Sequence, residues 1–405
     1  MRDHVVVYRR QAARDHLALR LARHLPVLLI LAAACGPADR TGSDGSTLAS
    51  GPVYVRQHVP AGDPQTATPF LVIGEDDGPD AFGRISGVAV IPDVGVFVTD
   101  AQEANVRGYS FDGERLFTFG RRGGGPGEFR DLRGIIVKPD GNLWLYDYRE
   151  RRYTEITTAG ELVATYQSKV PAFGRRWHGQ FGADGRFYDV ATVSEGTESR
   201  SVYVAHEIRD GTLIPVDTFP LPSTTGNAYF VQSTVGILNI PIPYAAQPFW
   251  AFDGEQIWFG DGEQTSVWRR ILRGDTSLVL EFGDRRQPVT NDDRRLARDD
   301  LESVLKDVGG LSLVDLTRIP EQHPAHGRLL TDGHGNLWIS RPVVPSLDGT
   351  NEQATFDVFD RDGRYSRSVM LRLNQARPIA MSTEFIAGVS MHDDATPRVV
   401  LYRLQ

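Results

Sequence analysis

The feature that most constrains this chain is an internal repeat. Phe82, Gly87, Pro92, Asp93, Asp100 and Gly113 recur as Phe129, Gly134, Pro139, Asp140, Asp147 and Gly160, each pair 47 positions apart without a gap. A period of that length is the mark of a repeat architecture, in which one supersecondary unit cannot bury its own apolar faces and stacks on copies of itself. Within a unit the grammar is that of short strands. Val88–Val90 is apolar, Pro92–Gly95 is a turn, Val96–Thr99 is a second strand, Val106–Phe111 a third, and Asp112-Gly113 turns it into a fourth at Leu116–Phe119. The unit therefore reads as a four-stranded antiparallel meander, and radial packing of such sheets is the way to cover both faces of each.

The same grammar continues in weaker form. Asp184-Gly-Arg-Phe-Tyr188, Asp253-Gly-Glu-Gln-Ile-Trp-Phe259 and Asp332-Gly-His-Gly-Asn-Leu-Trp-Ile339 each set a turn before an aromatic strand, followed by candidate hairpins at 202–219, 267–282 and 356–371. The tail supplies Phe385–Ser390 and Val399–Tyr402 but no complete fourth strand. Pro69-Phe-Leu-Val-Ile-Gly74 is the expected donor: it precedes Gly78-Pro79 as Thr118-Phe-Gly120 precedes Gly125-Pro126, so the amino-terminal strand is expected to complete the last sheet and close the ring. The expected fold is all-β, a six-bladed β-propeller of four-stranded antiparallel blades over residues 53–405. Two segments interrupt it. Residues 220–247 read as a long proline-marked loop. Residues 291–308 read as a helical insertion: Asn291 as cap, Asp292 and Asp293 in the first turn, and Ala297, Leu301, Val304, Leu305 and Val308 as an apolar stripe expected to pack on a propeller face.

Upstream, Arg20 and Arg23 precede the uncharged run Leu25–Ala34, which is short for a bilayer span and ends in small residues before Cys35, the chain's one cysteine. Residues 1–34 are read as a signal peptide, and the small residues before Cys35 resemble a bacterial lipobox, which implies acylation of that thiol. Ala32 stands where such a box usually has leucine. Residues 35–52, rich in Gly, Ser and Asp, then read as a lipidated cysteine and flexible tether. A single cysteine excludes an intramolecular disulfide framework and a cysteine zinc site. The net charge of −8 excludes a chain-wide attraction to nucleic acid.

The stretch Phe119-Gly-Arg-Arg-Gly-Gly-Gly-Pro-Gly-Glu-Phe129, followed by Gly134-Ile-Ile-Val-Lys-Pro-Asp-Gly-Asn-Leu-Trp-Leu-Tyr-Asp147, resembles an NHL repeat, strongly in the first two units and more faintly later. The resemblance implies a propeller that binds proteins, nucleic acids or glycans, while some related six-bladed propellers are metal-dependent lyases or lactonases; fold does not choose between them. Asp100, Asp147 and Asp261 end the second strands of their units and are read as turn-stabilising carboxylates.

Two groups of residues are the candidate ligand sites. His178 and His326 occupy, in the third and fifth units, the place of Gly87 and Gly134, where two imidazoles facing one axis would hold a metal or move a proton. Arg84, Arg130, Arg133 and Arg175, with Arg121, Arg122, Arg176, Arg285 and Arg286 at related positions, lie in the loops between units and are expected to line one face suited to an anionic partner. No nucleophile elbow, Walker loop, His-Glu-x-x-His helix or complete dinucleotide fingerprint is present, so no catalytic residue, metal or cofactor is assigned. The leading expectation is an exported, lipid-anchored binding or scaffolding propeller of the bacterial envelope, touching the membrane through its anchor only and working on an envelope protein, glycan or small molecule. The alternative is a metal-assisted lyase or lactonase with its site in the propeller channel.

Overall fold

The computed structural model describes Val7–Tyr8 and residues 51–404, except 170–178, 196–197, 222–226, 234–235, 343–352, 375–376, 378 and 392–395. Cys35, Arg175, Arg176 and His178 lie outside the described residues. The protein is mostly β, and the repeat is a repeat of sheets. Strands Ile85–Ile91, Gly95–Asp100, Asn105–Tyr109 and Arg115–Phe119 form the first antiparallel meander; Leu132–Val137, Leu143–Asp147, Arg152–Ile156 and Leu162–Ser168 form the second. Every residue of Gly95–Asp100 and of Leu143–Asp147 is buried, because sheets cover both faces, whereas Arg115–Phe119 on the outside is largely exposed. The turns repeat as well. Gly113 and Gly160 adopt φ of 84° and 82°, a left-handed conformation that a side chain disfavours by roughly 1 kcal/mol, which is why the repeat carries glycine there.

Four further meanders follow. The third has strands Gln180–Phe181, Phe187–Glu195, Glu198–Arg209 and Thr212–Pro220; the fourth Phe249–Phe252, Gln256–Gly260, Ser266–Ile271 and Thr276–Phe282. The fifth has Leu329–Thr331, Leu337–Ser340, Gln353–Phe359 and Tyr365–Arg372. The sixth has Ile379–Met381, Phe385–Met391 and Pro397–Arg403, and its fourth strand is Leu71–Ile73, in register Val399 to Ile73 and Leu401 to Leu71. The closure expected from residues 70–73 is therefore present.

The apolar cores lie between sheets, one for each neighbouring pair. Phe97 and Val106 of the first sheet meet Ile135 and Leu143 of the second. Trp144 and Tyr153 meet Phe187 and Leu213. Tyr188 and Tyr203 meet Phe252 and Ile257. Trp258 and Leu280 meet Leu337 and Phe359. Trp338 and Phe356 meet Ile386 and Tyr402. Phe385 and Val389 of the last sheet meet Val88 and Val96 of the first, so the series closes into a propeller-like ring. The first two inner strands approach so closely that a Cβ on Gly87 would stand 2.8 Å from the Gly134 Cα, which accounts for glycine at position 87.

The amino-terminal segment does more than supply one strand. Val53–Gln57 runs parallel along the outer edge of the fourth sheet, Gln65–Thr66 along that of the fifth, and Leu71–Ile73 completes the sixth. It is a strap across three consecutive sheets. The outer strands of the second and third sheets pair with each other at Gln167–Thr212 and Ser168–Leu213, merging the two into one eight-stranded sheet.

The insertions differ from their sequence reading. Residues 220–247 contain a hairpin, Ala228–Ser233 with Gly236–Pro241. The helix spans Asn291–Leu305, and its cap is Thr290 rather than Asn291: the Thr290 hydroxyl accepts from the Asp293 N–H, and the Asp293 carboxylate accepts from the Thr290 N–H, a reciprocal capping box. The apolar stripe does not rest on a propeller face. Ala297, Leu301 and Leu305 pack on Tyr229, Leu238 and Ile240 of the hairpin, with Val289 and Ile319. Neither insertion is large enough for a core of its own, so each buries the apolar side of the other. No helix among the described residues is long and apolar enough to cross a membrane.

Candidate functional site

The recurrent aspartates are brackets. Asp100, fully buried, accepts from the backbone N–H groups of Gly83, Arg84, Gln102 and Glu103; Asp147 accepts from those of Arg130, Asp131, Arg149 and Glu150. One carboxylate thus ties the loop entering a sheet to the turn leaving its second strand. Asp261 makes the weaker version: among the described residues it accepts from the backbone N–H groups of Glu263 and Gln264 within its own turn.

His326 is the described member of the histidine pair, and it is 1% exposed. Its Nε2 accepts from the Gly262 N–H at 3.2 Å, which makes Nδ1 the protonated nitrogen, donating to the Gly327 carbonyl at 2.8 Å. The ring sits between Phe249 and Phe282, in the seam between the fourth and fifth sheets. Burial pushes its pKa down, and both nitrogens are used. This histidine locks two sheets together and presents no lone pair to an axial ligand.

The loop arginines are interleaved with carboxylates. Arg130 pairs with Glu150 at 3.1 Å; Arg133 pairs with Asp131 at 2.7 Å and lies over the Tyr148 ring. Arg121 pairs with Glu128, Arg286 with Asp284, and Arg285 shares Asp357 with Arg341. Arg84 is exposed, and its backbone N–H is held by Asp100. Five of these arginines, Arg121, Arg130, Arg133, Arg285 and Arg286, are thus each tied to a carboxylate.

The structure brings together a site that the sequence reading did not. Where the two insertions meet the loop after Gly260, a cavity of about 650 Å³ is lined by Tyr244, Glu263, Arg286, Arg318, Glu321 and His323, among others. Its wall contains a buried polar cluster. His323 Nε2 lies 3.3 Å from Asp293 Oδ2, the same oxygen that accepts from the Thr290 hydroxyl and N–H at 2.7 Å each. Tyr244 places its ring edge-on to His323, with 4.9 Å between centroids, and donates its hydroxyl to the Asp293 carbonyl. Burial would raise the Asp293 carboxyl, but the bonds from Thr290 and His323 outweigh it and hold the group below the ordinary range. The aspartate that completes the capping box thus also orients a histidine 30 positions away. With its Nε2–H directed at the carboxylate, His323 keeps Nδ1 as a buried acceptor without a partner among the described groups. The signal available in the sequence was the pair of ordered-looking insertions; nothing local to Glu321-Gln322-His323-Pro324 announces the pairing with Asp293.

No family model matches the chain, and no curated protein matches it. Among solved structures, it is similar to an exported protein from Bacteroides fragilis NCTC 9343 (8% identity, 87% of this chain and 99% of that one, TM-score 0.49). It is also similar to a gluconolactonase from Xanthomonas campestris (13%, 85% and 99%, TM-score 0.40) and to virginiamycin B lyase from Staphylococcus aureus (12%, 79% and 95%, TM-score 0.37). The assignment of a propeller-like fold rests on the sheets and cores described above.

Proposed function

We propose that this chain is an exported, lipid-anchored six-bladed β-propeller of NHL-like repeats, and that it acts by binding rather than by catalysis. The observation that carries the reading is the cavity between the insertions and the ring. A propeller of repeated sheets is complete without the hairpin Ala228–Ser233 with Gly236–Pro241 and the helix Asn291–Leu305, yet the two pack on each other over a shared core, and beside them lies a cleft of about 650 Å³ open to solvent. That is the size of site that holds a small molecule or a short stretch of a larger one. Charges of both signs line it, with Arg286 and Arg318 against Glu263 and Glu321, which suits a polar ligand with donors and acceptors over an apolar one. The channel lyase or lactonase gains no support from His326, whose nitrogens are engaged by the backbone.

The test is equilibrium dialysis of the protein against an envelope extract, with retained compounds identified by mass spectrometry. Ala246 lines the cavity, so Ala246→Trp fills it. A compound retained by the wild type and not by this variant, at unchanged melting temperature, supports the reading; equal retention by both refutes it. Anchoring is tested separately: labelled fatty acid is expected in the wild type and not in Cys35→Ala, and equal labelling of the two removes the anchor.

A further inference from the structure

We propose that the outer corner of the fourth sheet, where strand Val53–Gln57 joins it, rests on an anionic lipid surface. The proposal rests on the reading that Cys35 carries the anchor. The four most exposed large apolar side chains among the described residues are Tyr54 (70%), Phe230 (69%), Val53 (60%) and Ile271 (58%). Three of these four share one corner. Val53 lies beside Leu278, Leu278 pairs with Arg269, and Ile271 ends that same strand two residues further on. Isolated exposed apolar residues are ordinary on any protein, but concentration of the most exposed ones at a single rim marks a contact surface.

The chemistry around them fits headgroups. Arg56 and Arg273 have side chains 85% and 71% exposed, and Arg269 and Arg270 precede Ile271 on its strand. Arg56 is paired with Glu281 and Arg273 with Asp217, while Arg270 donates to the Pro220 carbonyl and Arg269 to the Arg361 carbonyl and the Ser277 hydroxyl. A guanidinium has five donors, so one or two such partners leave capacity for a phosphate oxygen. Tyrosine, with an apolar ring and a polar tip, is a residue of the membrane–water boundary. The chain's course makes the surface reachable. Cys35 precedes Val53 by 18 positions, and at no more than about 3.5 Å per residue an acyl chain on Cys35 enters its bilayer within roughly 60 Å of this corner. A weak interfacial contact held that close by an anchor is occupied much of the time, which is how two marginal membrane signals combine.

The six meanders and the strap lie within residues 51–404, so the chain from residue 35 carrying Cys35→Ser contains the ring and no acyl group. Its flotation is to be measured with vesicles of phosphatidylethanolamine and phosphatidylglycerol (3:1) and with phosphatidylcholine vesicles. Binding to the anionic vesicles is expected, falling at least about three-fold in Val53→Ser/Tyr54→Ser/Ile271→Ser at unchanged melting temperature. Absence of binding, or binding equal in that variant, overturns the proposal; so does equal binding to both vesicle types, which removes the anionic surface. Fatty-acid labelling of Cys35 reports on the anchor independently: a chain that labels but does not dock loses only this corner, and one that docks without labelling loses only the anchor.

Discussion

Replacing Asp147 by alanine is expected to be among the most damaging single changes outside the apolar cores. Its side chain is fully buried, and four backbone N–H groups, those of Arg130, Asp131, Arg149 and Glu150, point at it from 2.6 to 3.2 Å. A hydrogen bond contributes about 1 kcal/mol net, more to a charged acceptor, and a donor left buried and unpaired adds a desolvation cost. Some of the four donors lie near enough to the surface for water to replace the carboxylate, so the expected loss is about 4 kcal/mol, near the upper end of point-mutant effects. Asp100→Ala should lose as much, since Asp100 also accepts four N–H bonds. Asp261→Ala should lose only about 2 kcal/mol, because Asp261 accepts two bonds in a partly exposed turn. The assay is urea unfolding of the three variants beside the wild type, followed by tryptophan fluorescence and far-ultraviolet circular dichroism, with the midpoint shifts compared. Equal shifts for Asp261 and Asp147 would refute the bracket, because they would mean that stability does not follow the number of N–H groups each carboxylate holds.

Other outcomes follow from particular contacts. His206 and His326 are buried and their pKa values are pushed below the ordinary 6.5 by loss of solvation, so the folded state binds fewer protons than the unfolded chain in this range. Their contribution is complete above pH 6.5 and is lost as pH falls from there toward their folded values; urea midpoints at pH 7.5 and 5.5 should show the drop, and it should shrink in His206→Phe. Gly87→Ala sets a methyl 2.8 Å from the Gly134 Cα and should cost about 2 kcal/mol through displacement of an inner strand, seen in the same unfolding assay. A chain beginning at Gly78 loses the strap from the fourth, fifth and sixth sheets together and should melt lower and aggregate sooner than one beginning at Val53, with equal melting curves as the contrary result.

The elements legible in the sequence were those in which neighbouring residues carry the signal. The 47-residue repeat, the turns at Gly113 and Gly160, the apolar second strands and the turn role of Asp100 and Asp147 are local patterns, and the structure shows them where the pattern places them. The helix was legible by its stripe, but its cap was misplaced by one residue because Thr290 and Asn291 are both good caps and only the reciprocal bonds with Asp293 distinguish them. Closure by Leu71–Ile73 was readable because that strand repeats the context of Phe119. The other two strap segments repeat nothing. They are short parallel additions to an edge, and the side chains that help to hold them, Arg56 on Glu281 and Val55 and Val59 on the core between the fourth and fifth sheets, find partners far away in the sequence.

What the sequence by itself determined, then, is the unit and its recurrence: period, turns and apolar alternation are properties of consecutive residues. What only the tertiary structure decided are the pairings between distant ones. His326 stands where the repeat has glycine, yet its Nε2 finds Gly262 of the preceding sheet, and that contact turns a suspected channel ligand into a seam between sheets. Asp293 and His323 are separated by 30 residues of helix and turn, and they meet only because the helix packs on the Ala228–Pro241 hairpin and brings its amino terminus against the returning chain. The loop arginines likewise meet carboxylates from other turns and strands, Arg130 that of Glu150 and Arg285 that of Asp357, pairings that no run of consecutive residues announces. Local propensity acts through a few neighbouring residues, whereas a site is defined by which side chains the packing brings within about 3 Å, and that is settled when the ring and its insertions close.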